Sequence, residues 1–506
     1  MIRVWDMALR REEEIKMPLS QRFNLVDEPW VPVVGKGLVS LGAIFSDHQL
    51  SALGGNPVQK IALTKLLLAI AQSAHIPANE ADWQRLGPSG MMDKTAEYLS
   101  AKRELFWLYG ERPFLQMPAI AGAKKKSLGT AEVYTATGNT TILTQGQVET
   151  PLTDAAKAML LVQLMGFSLG GKQTDNSITL SPGYQGKSKT GKPGPSIGRY
   201  GFLHTFLQGE SLSETLWLNL LTEEDMKKLT DFAEGFGTAP WESMPQGEAC
   251  AVARKLKTSY MGRLIPLSRF VLLAEDGLHY SEGIAHPDYA EGGVDVSIAV
   301  ASSGATHKAI WADPEKRPWR QLPALLSFLS NMDRGDAFEC RQLRMGVPRA
   351  QKHLPSFGLW SGGLKVRVNS GEQKVSGSDD FVESEIYLDA SELGKNWFTN
   401  FKREMDELDQ LDKIIWSATT AYFVAQKAAG KNQAAQAVNL FWQLCERRLQ
   451  ELVEACCDDS GEQVKRLRRA FAGFAERAYD TYCPRDTARQ VDAWAANRPN
   501  VLRYLR

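Results

Sequence analysis

Apolar positions along this chain keep three different spacings in turn. Residues 23–34 place Phe23, Leu25, Val26, Trp30, Val31, Val33 and Val34 around a short polar centre, which predicts brief extended segments. Gly35-Lys-Gly37 then turns the chain into Leu38-Val39-Ser40-Leu41, and together these predict a hairpin. Asn56-Pro57 supplies a cap and a first-turn proline for a helix to about residue 74, with Val58, Ile61, Leu66 and Ala69 at helical spacing. A second helix is predicted over 155–166. Between 200 and 388 the pattern breaks into short β-like runs at 264–273, 297–301 and 364–368, a helical stretch near 311–332, and many Gly and Pro punctuators.

After Leu388 the period becomes helical throughout. Four long patterns, 390–428, 431–457, 460–482 and 485–504, are separated by Gly430, the turn Asp458-Asp-Ser460 and Pro484. Val438, Phe441, Cys445, Leu449 and Leu452 step by three and four, as do Val464, Leu467, Phe471, Phe474 and Ala478. Ser460 with Gln463 predicts a capping box. Lys465, Arg466, Arg468 and Arg469 fall on one outer, solvated face. The fold class expected is α+β: a charged extension over 1–22, an irregular mixed α/β N-terminal domain over 23–388, and a C-terminal four-helix bundle over 389–506.

At 506 residues burial is not limiting, and 59 Lys plus Arg against 59 Asp plus Glu leave no net charge. A protein that coats nucleic acid over its whole surface is excluded, so any such contact is local. The six cysteines, Cys250, Cys340, Cys445, Cys456, Cys457 and Cys483, show no zinc spacing, which predicts reduced thiols in a cytoplasmic protein. The longest apolar stretch, 61–71, is too short to span a bilayer. Residues 1–22 have no apolar centre and read as a short charged helix or as residues upstream of a start at Met17, not as a secretory signal.

One segment breaks the charge balance. Between Leu180 and Gly201 the chain carries Lys187, Lys189, Lys192 and Arg199 with no acid, and glycines at 183, 186, 191, 194 and 198. Glycine permits close backbone approach, so N–H groups and lysines can converge on phosphates or enter a groove. A solvated connection has the same composition.

Catalytic tools are sparse. The seven histidines, His48, His75, His204, His279, His286, His307 and His353, form no metal-binding pair, and the acidic doublets Asp379-Asp380 and Asp458-Asp459 sit in turns where capping is the simpler task. No phosphate-binding Walker motif occurs. Gly166-Phe-Ser-Leu-Gly170 matches a nucleophile elbow in letters but follows a helical pattern where that motif needs a strand. No metal, no cofactor and no catalytic residue is expected; the alternative is a stand-alone hydrolase using a histidine such as His204 beside the glycine-rich loop.

Phe23-Asn-Leu-Val-Asp-Glu-Pro-Trp30-Val-Pro32 resembles the opening of the large subunit of the type I-E CRISPR Cascade complex, the CasA family. Glu111-Arg-Pro-Phe114-Leu-Gln116, Leu203-His-Thr-Phe-Leu-Gln-Gly209 and Glu214-Thr-Leu-Trp-Leu-Asn-Leu-Leu221 resemble later landmarks of that family, in order. The resemblance implies a non-catalytic subunit that finds the protospacer-adjacent motif in double-stranded DNA, helps open the duplex and later receives a helicase-nuclease. It implies that Thr141, Ile142, Leu143, Thr144 and Gln145 form a loop toward the crRNA 5′ end and the other Cascade subunits. It further implies that Gly183, Tyr184, Gln185, Gly186 and Lys187, with Lys189 and Lys192, approach the minor groove. A β-hairpin with Trp360, Gly362, Gly363, Leu364 and Lys365 would carry the wedge. The family's wedge is commonly a glutamine, which is absent at the matching place, so either Trp360 or Leu364 takes the role or the match slips by a residue or two. Minor-groove readout is degenerate, so such a loop accepts several related motifs. A wedge must offset a few kcal/mol of unstacking.

Overall fold

The structure, a computed structural model, describes residues 21–131, 151–168, 178–181, 201–287, 295–303, 306–330, 338–369, 372–374, 381–457 and 461–505. The predicted hairpin forms from Val31–Val33 and Gly37–Val39. Helix Pro57–Ala74 forms as its cap predicts: the Asn56 side chain accepts from Gln59 N and the Gln59 side chain accepts from Asn56 N, both at 3.0 Å. It is buried on nearly every side, as a helix apolar all round must be. Asp154–Gly166 and Glu80–Lys102 pack on it. Glu80–Lys102 escapes the sequence reading because Gly87-Pro88 interrupts it; Gly87 takes φ 59° and the helix kinks there.

The stretch 311–332 is not the helix its composition predicts. Trp311 is extended and bridged to Phe202, and the chain then makes short turns at Pro318–Gln321, Leu322–Leu325 and Ser327–Ser330. Pro314, Pro318 and Pro323 prevent a longer run. Likewise only the second half of the run 264–273 is strand, Arg269–Leu273, and Leu264 ends a short helix that starts at Met261.

Small sheets recur among the described residues. The central one is antiparallel, with Ser356–Leu364 between Phe381–Asp389 and His204–Gln208. Side-chain amides clamp backbones around the sheets, since an amide carries the donor and acceptor of a peptide group. Gln116 gives Nε2 to Leu108 O at 2.6 Å and accepts from Leu273 N at 2.8 Å. Asn219 does the same for the backbone of Leu207, at 2.7 and 3.1 Å. Two landmark motifs thus contribute structural clamps.

The C-terminal part is helical: Lys395–Ala425, Lys431–Glu446, Leu449–Ala455, Glu462–Tyr482 and Ala488–Ala496. The pattern expected at 431–457 is broken at Arg447 and Arg448, and that at 485–504 ends in turns after Ala496. Glu462–Tyr482 is capped by Gly461 at φ 66°, with no side-chain cap, in place of the predicted box; Ser460 lies outside the described residues. Arg468 does not join a solvated face. It grips the buried Glu404 carboxylate through two 2.8 Å contacts and lies over the Tyr504 ring.

This helical part docks on the central sheet. Gln450 accepts from Tyr387 N and donates to Tyr387 O, both at 3.1 Å, covering the exposed edge of Phe381–Asp389. Arg320 stacks on Trp442 and reaches Asp409 and Asp412. One apolar cluster runs without a break from Leu25 to Tyr504. The cysteines are free thiols, and burial pushes Cys456 up to about 12. Among the described residues no helix is long and apolar enough to cross a membrane.

Candidate nucleic-acid interface

The two ends of the glycine-rich segment are described, and both are fixed. Ser181 is buried and donates its hydroxyl between Glu282 O and Gly283 O, at 3.0 and 2.8 Å. Gly201 returns the chain with φ 69°, where a Cβ would stand 2.6 Å from Leu364 O and 3.0 Å from Val366 N. Only glycine fits that combination of left-handed backbone and close approach. The return point therefore sits on the end of strand Ser356–Leu364, at the foot of the hairpin.

Beyond that foot the hairpin continues. Arg367–Asn369 pairs with Glu372–Lys374 in the register Arg367 to Lys374, Val368 to Gln373 and Asn369 to Glu372. The wider stem is Ser356–Leu364 against Phe381–Asp389.

The expected wedge residues lie in this stem. Trp360 is 8% exposed, donates Nε1 to Glu383 Oε1 at 2.6 Å and tilts against Phe206; Leu364 is 2% exposed. In this position neither can enter a base stack, because both are held in the core between two strands. Gly362 and Gly363 have packing reasons: a Cβ at Gly362 would meet the Trp360 ring at 2.6 Å, and one at Gly363 would meet Phe202 O at 2.6 Å. Lys365 pairs with Asp313 at 2.9 Å. The loop residues Gly183, Tyr184, Gln185, Gly186, Lys187, Lys189 and Lys192 lie outside the described residues, as do Thr141, Ile142, Leu143, Thr144 and Gln145.

His204 lies on the inner side of the same sheet. Its Nδ1 is 2.9 Å from Ser297 Oγ, Ser297 donates to Asp295 Oδ1 at 2.8 Å, and Asp295 pairs with Lys65. Burial alone would raise the Asp295 carboxyl, but the Lys65 ammonium and the neighbouring donors hold it down at about 2. Since Ser297 spends its one proton on Asp295, the imidazole must donate to Ser297 and is no base for it. All four residues are buried, so no substrate meets them. A hydrolase built on His204 has no support in this geometry.

A family model for the CRISPR-associated protein Cse1 matches residues 24–479. The chain belongs to the Cse1 family. A curated Cse1-family relative, the CRISPR-associated protein CasA/Cse1 of Thermus thermophilus, is 30% identical over 222 residues. That match spans 40% of this chain and 41% of the relative's length. The crystal structure of Thermus thermophilus CasA superposes with a TM-score of 0.71 at 19% identity, covering 96% of this chain and 99% of that one. A chain of a structure described as a CRISPR RNA-guided surveillance complex gives 0.67 at 17% identity, covering 95% and 99%. At these identities the likeness is one of fold: the Cse1 arrangement of helices and small sheets.

Proposed function

We propose that this chain is the non-catalytic large subunit of a Cascade-type, RNA-guided surveillance complex that recognises a protospacer-adjacent motif in double-stranded DNA and starts duplex opening. Membership of the Cse1 family and the likeness to a chain of a surveillance complex support the assembly. The observation that carries the DNA role is the seat of Gly201 on Leu364 and Val366, which roots the basic glycine-rich loop beside the hairpin. A loop that approaches the groove and a wedge that enters the adjacent base step have to act within a few base pairs of each other. A shared root meets that need.

In this reading the wedge belongs to the outer arms of the hairpin, Arg367–Asn369 and Glu372–Lys374, rather than to Trp360 or Leu364. Residues 141–145 serve the crRNA 5′ end and the neighbouring subunits. The helices after Asp389 act as a four-helix bundle that rests on the complex, with the division at 388–389 as the domain boundary, and the assembled face later receives the helicase-nuclease. The protein works in the cytoplasm.

The test is duplex opening by the assembled complex, read by a fluorescent base beside the motif. Replacing 367–374 by a short Gly-Ser turn is expected to abolish fast opening while the complex still assembles. Opening at the wild-type rate by that variant contradicts the reading.

A further inference from the structure

We infer that the outer face of helix Glu462–Tyr482 is a second DNA contact, a seat for the sugar-phosphate backbone of intact duplex. This rests on the reading that the assembled complex binds duplex DNA, and goes beyond it by adding a site on the helical part, apart from the loop and the hairpin. Arg469, Gly473 and Arg477 stand at i, i+4 and i+8, and Arg466 lies one turn earlier on the same side. All four are exposed, while Val464, Leu467, Phe471, Ala475 and Ala478 fill the opposite, buried face. The helix's three acids are engaged elsewhere: Glu462 pairs with Lys465 at 2.6 Å, Glu476 with Arg498 at 3.6 Å, and Asp480 accepts from Trp494 Nε1 at 2.8 Å. Arg466, Arg469 and Arg477 have no ion-pair partner among the described residues.

Gly473 is the independent observation. Glycine in a helix interior destabilises it relative to alanine, so it needs a reason to be there. At Gly201, Gly362 and Gly363 the reason is a neighbour that excludes a Cβ, but a Cβ at Gly473 would meet nothing within 4 Å. No group of the chain requires the bare backbone. What it offers is close approach from outside, midway between two unopposed guanidinium groups. On a rise of about 1.5 Å per residue, Arg469 and Arg477 stand about 12 Å apart along the axis. That is the scale of phosphates facing each other across a groove, roughly 6–12 Å wide.

The surrounding charge has the same sign. Residues 461–506 carry ten Lys and Arg against five Asp and Glu in a chain with no net charge, and nine of the ten are arginines. The planar fork of arginine takes two phosphate oxygens at once. A protein partner would need aromatic or aliphatic anchors, and no large apolar side chain of this helix is exposed. A single strand would need rings on which bases stack. Trp494, beside Asp480, already holds the guanidinium groups of Arg485 and Arg498 at 4.8 and 4.7 Å from its ring. Duplex DNA asks only for positive charge and close approach.

The test uses the full chain assembled with the other subunits of its complex. A duplex with neither motif nor guide match is titrated at several salt concentrations, with the corresponding single strand as a second ligand. Arg466→Gln combined with Arg469→Gln and Arg477→Gln is expected to flatten the log–log slope on the duplex by about 2 to 3. Gly473→Leu is expected to raise the melting temperature, since leucine is the better helix former and has room, and yet to weaken duplex binding about fivefold or more. A merely solvated face would gain the stability and lose no binding. A wild-type slope in the triple variant, wild-type duplex affinity in Gly473→Leu, or a loss confined to the single strand overturns the proposal. If Gly473→Leu melts below wild type, the triple variant decides, because it alters exposed side chains only. Gly186→Val separates the two levels: full motif preference in that variant beside a flattened slope in the arginine variant removes the loop reading and leaves the seat, whereas lost preference beside a wild-type slope removes the seat alone.

Discussion

Two polar assemblies adjoin the central sheet, one around His204 and one at the foot of Ser356–Leu364, and they differ in every respect that bears on function. On the inner side, Lys65, Asp295, Ser297 and His204 look like chemistry by residue type, yet all are buried, joined one to the next and wrongly ordered for proton transfer from serine. At the outer edge, Trp311, Asp313 and Lys365 are ordinary by residue type, yet they are exposed or half-exposed and gather with the buried Gly201 at the root of a basic loop and a hairpin. Accessibility and convergence mark the side proposed to meet DNA, whereas catalytic-looking residue types mark a buried structural network.

The strongest way to break this contrast is at the inner assembly. Asp295→Ala leaves the Lys65 ammonium buried without its anion, which is expected to cost about 3–5 kcal/mol in urea unfolding. Replacing both by apolar residues, Lys65→Met with Asp295→Leu, is expected to recover much of that loss. A single variant as stable as wild type would show that the pair is not a structural tie.

Next in size is Gly201→Val at the outer edge, which forces a branched side chain into φ 69° against Leu364 O. A loss of roughly 1–3 kcal/mol is expected, together with a lower preference for motif-bearing DNA. A stable variant with unchanged preference would detach the loop from the hairpin.

The pH dependence of stability sharpens the inner half of the comparison. His286 is buried with Nε2 2.7 Å from Pro266 O, and burial, helped by the Arg263 cation, pushes its imidazole down to about 3. The unfolded chain takes up a proton near pH ~6.5 that the folded chain refuses, so this stability is whole above ~6.5 and is lost as pH falls toward about 3, by up to ~1.4 kcal/mol per pH unit. His286→Gln is expected to flatten the fall of the melting temperature between those limits. An unchanged slope would assign the acid sensitivity to other groups.

The smallest effect is expected at Lys365→Ala. The pair with Asp313 is partly exposed, so stability should change by less than about 1 kcal/mol. If Lys365 exchanges Asp313 for a DNA phosphate, the log–log salt slope should flatten by about 0.9.

Much of the fold is legible in the chain itself. The Asn56-Pro57 cap, the Gly35-Lys-Gly37 hairpin and the helical texture after Leu388 depend on local chemistry, and each forms close to its predicted place. Glu80–Lys102 is hidden because Gly87-Pro88 breaks its helical spacing with a real kink, and 311–332 misleads because its apolar spacing says nothing of the prolines' effect on backbone direction. The roots of the site are hidden for a different reason. That Gly201 meets Leu364, or that Ala312 meets both Gly201 and Gly363, depends on segments far apart in sequence, and no local pattern encodes it. Trp360 and Leu364 draw attention as large apolar residues near glycines, but those glycines exist to let the ring and the neighbouring strand close in.

The central claim, that the outer edge reads and opens DNA through the loop rooted at Gly201, meets its most direct test in equilibrium titrations of the assembled complex at several salt concentrations, on duplexes with and without a functional motif. Lys187→Ala combined with Lys189→Ala and Lys192→Ala is expected to flatten the salt slope by at most about 3. Gly186→Val is expected to weaken motif-bearing DNA far more than motif-free DNA, because a branched Cβ blocks close approach. A wild-type slope in the first variant together with a wild-type preference in the second would contradict the claim and leave residues 182–200 a connection only.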